Sequence, residues 1–368
     1  MRLAKPLVML ARRAAALLAG ALCTQVAIGA QSRVSELNEA GWKALQNGYE
    51  DRAAKIFAEA VSLRPNDPVL LLGWGAAAHA QGKEREAMAR LKKAVEIQPG
   101  LLQASKLLGQ IAFDEGDVDL AVKTYEEALK HAPNDAELNA LLTDWRREAD
   151  KHQTFQETRF ERFRVMFEGR AEEALAVQAT RILESAFFRI GQQLGEYPPK
   201  TIVTVLYTEK QFHDITRAPN WAGGQYDGRI RIPVAGASRD PRLFEIVLVH
   251  ELVHAMIAGI APSGVPAWMD EGLAQYFDGT DAKDARRRMK QIGVSIPLKY
   301  LQHGFGRLTS AQAQVAYDES LLAVGVMMDR PAFGWIRLLH RLADGQTFDE
   351  AIEYFGFSYS DLEAPFTR

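Results

Sequence analysis

Residues 244–259 read FEIVLVHELVHAMIAG. The run is apolar at nearly every position, which predicts a buried helix, yet it carries His250, Glu251 and His254. A buried polar group without a partner costs on the order of a few kcal/mol, and an isolated charge costs more. Something must satisfy all three. Positions four apart on a helix lie one turn apart on nearly the same face, so both rings can aim at one point. Two neutral imidazoles would be satisfied there by a shared divalent ion, with nitrogens about 2.0–2.1 Å from it if the ion is zinc. Glu251, next to the first ring and off that axis, is placed to take a proton from water that zinc acidifies to a pKa of about 7. The spacing is the H-E-x-x-H signature.

A third ligand is expected from residues 263–279, SGVPAWMDEGLAQYFDG. Pro266 suits the start of a helix and Gly279 its end, which puts Glu271 near the middle of a second helix. The turn between them, GIAPSGVPA, lets the helices run back alongside each other. Glu271 is then the expected ligand and Asp270 the alternative. A fourth position stays open for water.

These residues carry a family resemblance. The zinc helix followed by W-x-x-E-G-x-A, here Trp268, Glu271, Gly272 and Ala274, resembles the gluzincin metallopeptidases of the thermolysin-like clan, most closely the compact peptidase MA-like members. The resemblance spans about residues 160 to 368. It implies an α+β zincin-like metallopeptidase domain, a small sheet plus helices, with zinc held by His250, His254 and Glu271 and Glu251 as general base. It also implies a tyrosine or histidine after the ligand helix to steady the carbonyl oxygen. Tyr317 is the expected residue, with Tyr300, His303 and His340 as competitors. Where thermolysin has an aspartate four residues after its ligand glutamate, this chain has Gln275. Orientation of the rings then falls to Gln275, Asp270 or backbone carbonyls. The glycine-rich motif of the large aminopeptidases is absent from NWAGGQYDGRIRIP, residues 220–233, which favours an endopeptidase.

Upstream, one unit recurs three times. Gly48, Gly82 and Gly116 are 34 residues apart, as are Pro65, Pro99 and Pro133, Ala53, Ala87 and Ala121, and Ala60, Ala94 and Ala128. Phe57, Leu91 and Tyr125 keep the same step. The period, with glycine between helices and proline after them, resembles the tetratricopeptide repeat family over about residues 34 to 135. It implies an all-α solenoid of three repeats, capped by a helix from about Asp135 to Gln153, whose concave surface binds a protein partner or peptide. The usual aromatic early in each repeat is replaced by Leu37, Leu71 and Ser105.

Further expectations concern the flanking segments. TRFERFRVMFEG, residues 158–169, reads as one half-buried strand, and the next helix ends at Gly195. Residues 228–234, GRIRIPV, read as an exposed edge strand bordering the cleft and kept soluble by Arg229 and Arg231. DAKDARRRMK, residues 281–290, reads as a solvated helix face, and Thr347 with Glu350 has capping-box spacing. The peptidase domain is expected over 155–368 and the repeats with their cap over 34–153.

The chain is 47% apolar and 25% charged, ordinary globular composition. Its first 30 residues differ: Arg2, Lys5, Arg12 and Arg13 precede an apolar run ending in small residues, with no acid present. This reads as a signal peptide cut near Ala30, or retained as an anchor, and implies an exported, periplasmic or secreted protein. Losing those four charges takes the net from −3 to −7. Nucleic acid and anionic membrane surfaces are disfavoured as partners. Cys23 is the only cysteine, so the mature chain holds no disulfide. No later apolar stretch is expected to cross a bilayer. The expected function is zinc-dependent peptide hydrolysis. The alternatives are an inactive peptidase-like scaffold and a zinc hydrolase of a non-protein envelope amide or ester.

Overall fold

A glycine that permits a sharp turn every 34 residues forces helices into antiparallel pairs, and the first part of the chain folds that way. The computed structural model describes residues 31–368 apart from 153, 170–171, 217–223, 235–236, 238–239, 332 and 367–368. The expected signal segment lies outside the described residues. The chain divides into two units, with the first running to Trp145 apart from residues 114–116.

In the first unit α1 covers residues 31–46. It is followed by α2 (Glu50–Leu63), α3 (Pro68–Ala80), α4 (Glu84–Ile97), α5 (Leu102–Asp114), α6 (Val118–His131) and α7 (Ala136–His152). The repeat positions behave as the period requires: Phe57, Leu91 and Tyr125 are each at most 2% exposed. They fill the space that Gly41 and Gly73, Gly75 and Gly109 leave on the facing helices. Trp145 of α7 closes the array by stacking on Phe113 at 4.6 Å and meeting Tyr125 at 4.4 Å.

The second unit includes the last two turns of α7, from Arg146 onward. It continues with β1 (Phe155–Phe160), β2 (Phe163–Glu168), α8 (Glu173–Leu194), β3 (Ile202–Tyr207), α9 (Glu209–Thr216), β4 (Gln225–Tyr226) and β5 (Ile230–Pro233). Helices α10 (Pro241–Ile260), α11 (Ala267–Asp278) and α12 (Ala282–Ile292) follow, then a 3-10 turn (Leu298–Leu301) and α13 (Ser310–Met328). Short helices α14 (Trp335–Ala343), α15 (Phe348–Glu353) and α16 (Tyr359–Glu363) close the unit. The sheet order is β1-β2-β3-β5-β4, parallel in the centre and antiparallel at both ends.

Period-two alternation divides the sheet into two faces. Val165, Leu206, Ile230 and Ile232 enter the main core with α8 and α10, while Met166, Val203, Val205 and Tyr207 pack on the other face with Phe212 of α9. Gly195 ends α8 in the left-handed conformation, and Thr347 and Glu350 form the expected capping box. The charged stretch of α12 exposes Arg286 and Arg287, but Arg288 grips the buried Asp318 through two nitrogens.

Three expectations are corrected. Residues 158–169 do not form one strand: β1 and β2 are a hairpin that turns at Glu161, whose φ is 25°, without the glycine or asparagine such turns usually announce. Residues 228–234 are not an edge. β5 lies between β3 and β4, and Arg229 and Arg231 are 0% and 1% exposed, so they face the protein and not solvent. Their counter-charge is Glu148, from a helix some eighty residues earlier. Finally, α10 is long and apolar enough to cross a membrane by length and composition. Here it is the central helix of the core, with ten buried residues.

Burial disfavours ionisation of Glu148, but Arg229 and Arg231 outweigh it and hold the carboxyl down to about 2, against an ordinary 4.5. A carboxyl depressed by folding contributes stability that is complete above its unfolded pKa and drains as pH falls toward the folded one. Wild type should therefore melt above Glu148→Gln by a constant margin down to about pH 5, and the margin should shrink between about pH 4.5 and 2. Scanning calorimetry across that range checks this, and a margin undiminished at about pH 3 would contradict it.

Candidate metal centre

The apolar character of α10 places it in the core, and its polar residues face α11, which returns antiparallel through a short turn. Close approach of the next layer depends on Gly272. A Cβ there would collide with the backbone oxygen of Ser320 on α13, so α11 and α13 touch backbone to backbone.

The three expected ligands meet. His250 Nε2 lies 3.5 Å and His254 Nε2 3.7 Å from Glu271 Oε2, and one ligand atom from each residue falls within 4.8 Å of the others. Ligands bound at 2.0–2.1 Å to a tetrahedral ion stand about 3.4 Å apart, close to the spacing found. Glu271 Oε2 is buried without a hydrogen-bond partner.

The far side of each ring is also fixed. His250 Nδ1 is 2.8 Å from Asp278 Oδ2, and His254 Nδ1 is 2.9 Å from Asp270 Oδ2. An ionised carboxylate can only accept, so each Nδ1 bears a hydrogen and donates it, which leaves Nε2 as the nitrogen that faces Glu271 and that a cation would use. Asp270 is thus a partner of a ring, as one expectation had it. Gln275 instead donates to the carbonyl oxygen of Tyr317, 2.9 Å away.

Burial opposes charge on His250, yet Asp278 and the facing carboxylate of Glu271 outweigh it and push the ring up to about 10 as long as no cation takes the place of the proton on Nε2. His254 is likewise raised, with Asp270 overcoming burial. Glu251, 7% exposed, is raised by burial first, against the pull of both rings. The pocket therefore concentrates carboxylates around two imidazoles, a field that draws in a cation. These donors fit a zinc ion in kind, number and spacing.

Tyr317 on α13 is raised by burial and then by Glu271 and Glu251, so its hydroxyl keeps its hydrogen and remains a donor beside them. The competitors stand apart: Tyr300 is 81% exposed, His303 is exposed and His340 is tied to Glu196.

Two residues escaped sequence reasoning. Asp278 lies seven positions after Glu271, two turns along the same face of α11, so helical periodicity could have nominated it. Gly224, just before β4, gave no signal. A Cβ there would come within 2.9 Å of Glu251 Cγ and Val247 Cγ1, so this backbone lies directly on the helix that bears Glu251.

Comparison with known families matches residues 183–367, half of the chain, to the Peptidase MA superfamily. The chain belongs to that superfamily. Its members are typically metallopeptidases, and the same chain carries a tetratricopeptide repeat match over residues 78–144. Over 103 residues it is 28% identical to Hsp70-Hsp90 organizing protein 1 of Glycine max, covering 28% of this chain and 18% of that protein. Over 90 residues it is 30% identical to Hsp70-Hsp90 organizing protein 2 of Arabidopsis thaliana, covering 24% and 16%. The chain thus spans less than a fifth of either relative. Among solved structures, the first TPR of Spaghetti (RPAP3) bound to HSP90 peptide SRMEEVD matches 32% of this chain and 97% of its own, at 24% identity and a TM-score of 0.31. The Sgt2 TPR domain from Aspergillus fumigatus matches 35% and 86%, at 22% identity and a TM-score of 0.31.

Loss of an outer partner of a metal-binding histidine typically weakens metal affinity by about 10- to 100-fold. Asp278→Ala should do the same for zinc, read by competition with a chromophoric chelator. Undiminished affinity would separate Asp278 from the centre.

Proposed function

We propose that this Peptidase MA protein is an exported, zinc-dependent endopeptidase whose repeat array binds a protein partner or presents substrate. The observation that carries the reading is the meeting of His250, His254 and Glu271 around one point with Glu251 buried beside it. A bound zinc would polarise the scissile carbonyl and lower the pKa of the attacking water.

The chain's own residues divide the remaining work. His250, His254 and Glu271 hold the ion, with Asp278 and Asp270 fixing the rings. Glu251, made more basic by burial, accepts a proton from water and passes it to the leaving amine. The Tyr317 hydroxyl donates to the carbonyl oxygen as negative charge develops there.

Among the described residues β4 is the outermost strand on its side of the sheet, and the residue before it touches Glu251. A free strand edge beside the base suits an extended peptide, which pairs through its backbone. This supports endopeptidase action on unfolded or extended chains. A binding scaffold has no need of a carboxylate at position 251, which favours catalysis over an inactive fold. The basic, acid-free segment before residue 31 supports export. The three repeats support capture of a protein partner.

Glu251→Gln should retain one zinc per chain and lose hydrolysis of a quenched-fluorescence peptide library, because the amide accepts no proton. Cleavage at the wild-type rate would overturn the assignment. Tyr317→Phe should lower kcat by about 10²–10³-fold with little change in KM, the signature of a lost transition-state donor.

A further inference from the structure

The cleft rim rests on a buried charge cluster that the chemistry above does not use. Arg231 lies on β5 and Arg229 immediately before it, two residues away, while Ile230 and Ile232 turn to the other side into the main core. Two buried guanidiniums on one strand repel each other, so the strand needs a counter-charge to stay where it is.

Glu148 supplies it to both guanidiniums through one carboxylate oxygen. Glu148 Oε1 lies 2.6 Å from Arg229 Nη2 and 2.9 Å from Arg231 Nη1, and accepts from the Tyr207 hydroxyl at 3.0 Å. His152, one turn later, meets the same hydroxyl at 2.8 Å. Asp227 takes the remaining side of Arg231, at 2.9–3.0 Å from Nε. Glu148 is 3% exposed, so bulk solvent screens these charges little. β5 in turn holds β4 by antiparallel pairing of Gln225 with Arg231 and Tyr226 with Ile230. The residue before β4, Gly224, lies on Glu251 and Val247. An unbroken series therefore runs from Glu148 through β5 to the strand beside the base.

We propose that Glu148 is a positioning residue for the peptide-binding rim: as counter-ion to Arg229 and Arg231 it holds β5, and through it β4, against the helix that bears Glu251. The zinc ligands sit on α10 and α11, outside the sheet, so the role is separable from metal binding. The inference rests on the peptidase reading for the rim's purpose, while its structural part stands independently.

The test uses the full chain with zinc. Glu148→Gln should speed hydrogen exchange at the amides of residues 225–232 by about tenfold or more, leave those of residues 248–254 protected, and leave zinc affinity unchanged. With a cleavable peptide, KM should rise about tenfold while kcat holds. The triple variant Glu148→Met, Arg229→Met, Arg231→Met removes the charges together and should restore rim protection. Wild-type exchange in Glu148→Gln would overturn the proposal, as would equal loosening of the rim and residues 248–254. A triple variant as loose as the single one, or failure of both to fold, would also overturn it by assigning Glu148 to the whole fold. A wild-type chain that binds zinc but cleaves nothing would count against the peptidase reading alone, because exchange and zinc affinity need no turnover.

Discussion

Half-buried imidazoles on an apolar helix need partners on both sides of the ring, and that requirement organises the second unit. An apolar helix cannot carry His250, Glu251 and His254 into a core unless another element brings carboxylates to meet them. Helix α11 does so with three acids: Asp270 and Asp278 fix the outer nitrogens, and Glu271 faces the inner ones. The short turn after α10, the glycine at position 272 and the packing of α13 behind α11 all serve that encounter. What results is a site rich in carboxylates, with three convergent donor atoms and the buried Glu251 next to them in α10.

The sheet answers a different need. In the proposed reading it offers an edge to an extended chain beside Glu251, and β4, outermost on that side among the described residues, is only two residues long. Such a strand has little stability of its own, so its place depends on β5, and β5 depends on the buried Glu148 cluster. On the proposed reading, chemistry and substrate would therefore be positioned by separate devices, carboxylates on helices for one and a charge cluster under the sheet for the other.

Much of this was legible in the sequence where a signal repeats or has fixed spacing. The 34-residue step located the repeats, and the i, i+4 histidines with an acid one turn into the next helix brought the three donors together. What stayed hidden depends on contacts between distant segments. Asp278 looks like any acid at the end of a helix until α10 packs beside it. Arg229 and Arg231 read as solvent-facing because their alternation with isoleucines has the pattern of a half-exposed strand, and their counter-ion lies far upstream in α7. The β1–β2 hairpin was missed because Glu161 adopts a positive φ without a residue type that signals it.

The central claim is that one divalent ion is gripped by three side chains of α10 and α11. Anomalous diffraction at the zinc edge from crystals of the full chain tests it most directly. The account predicts one peak, coordinated by His250 Nε2, His254 Nε2 and a Glu271 carboxylate oxygen. No peak between these residues in zinc-supplied crystals, or a sole peak elsewhere in the molecule, would contradict it.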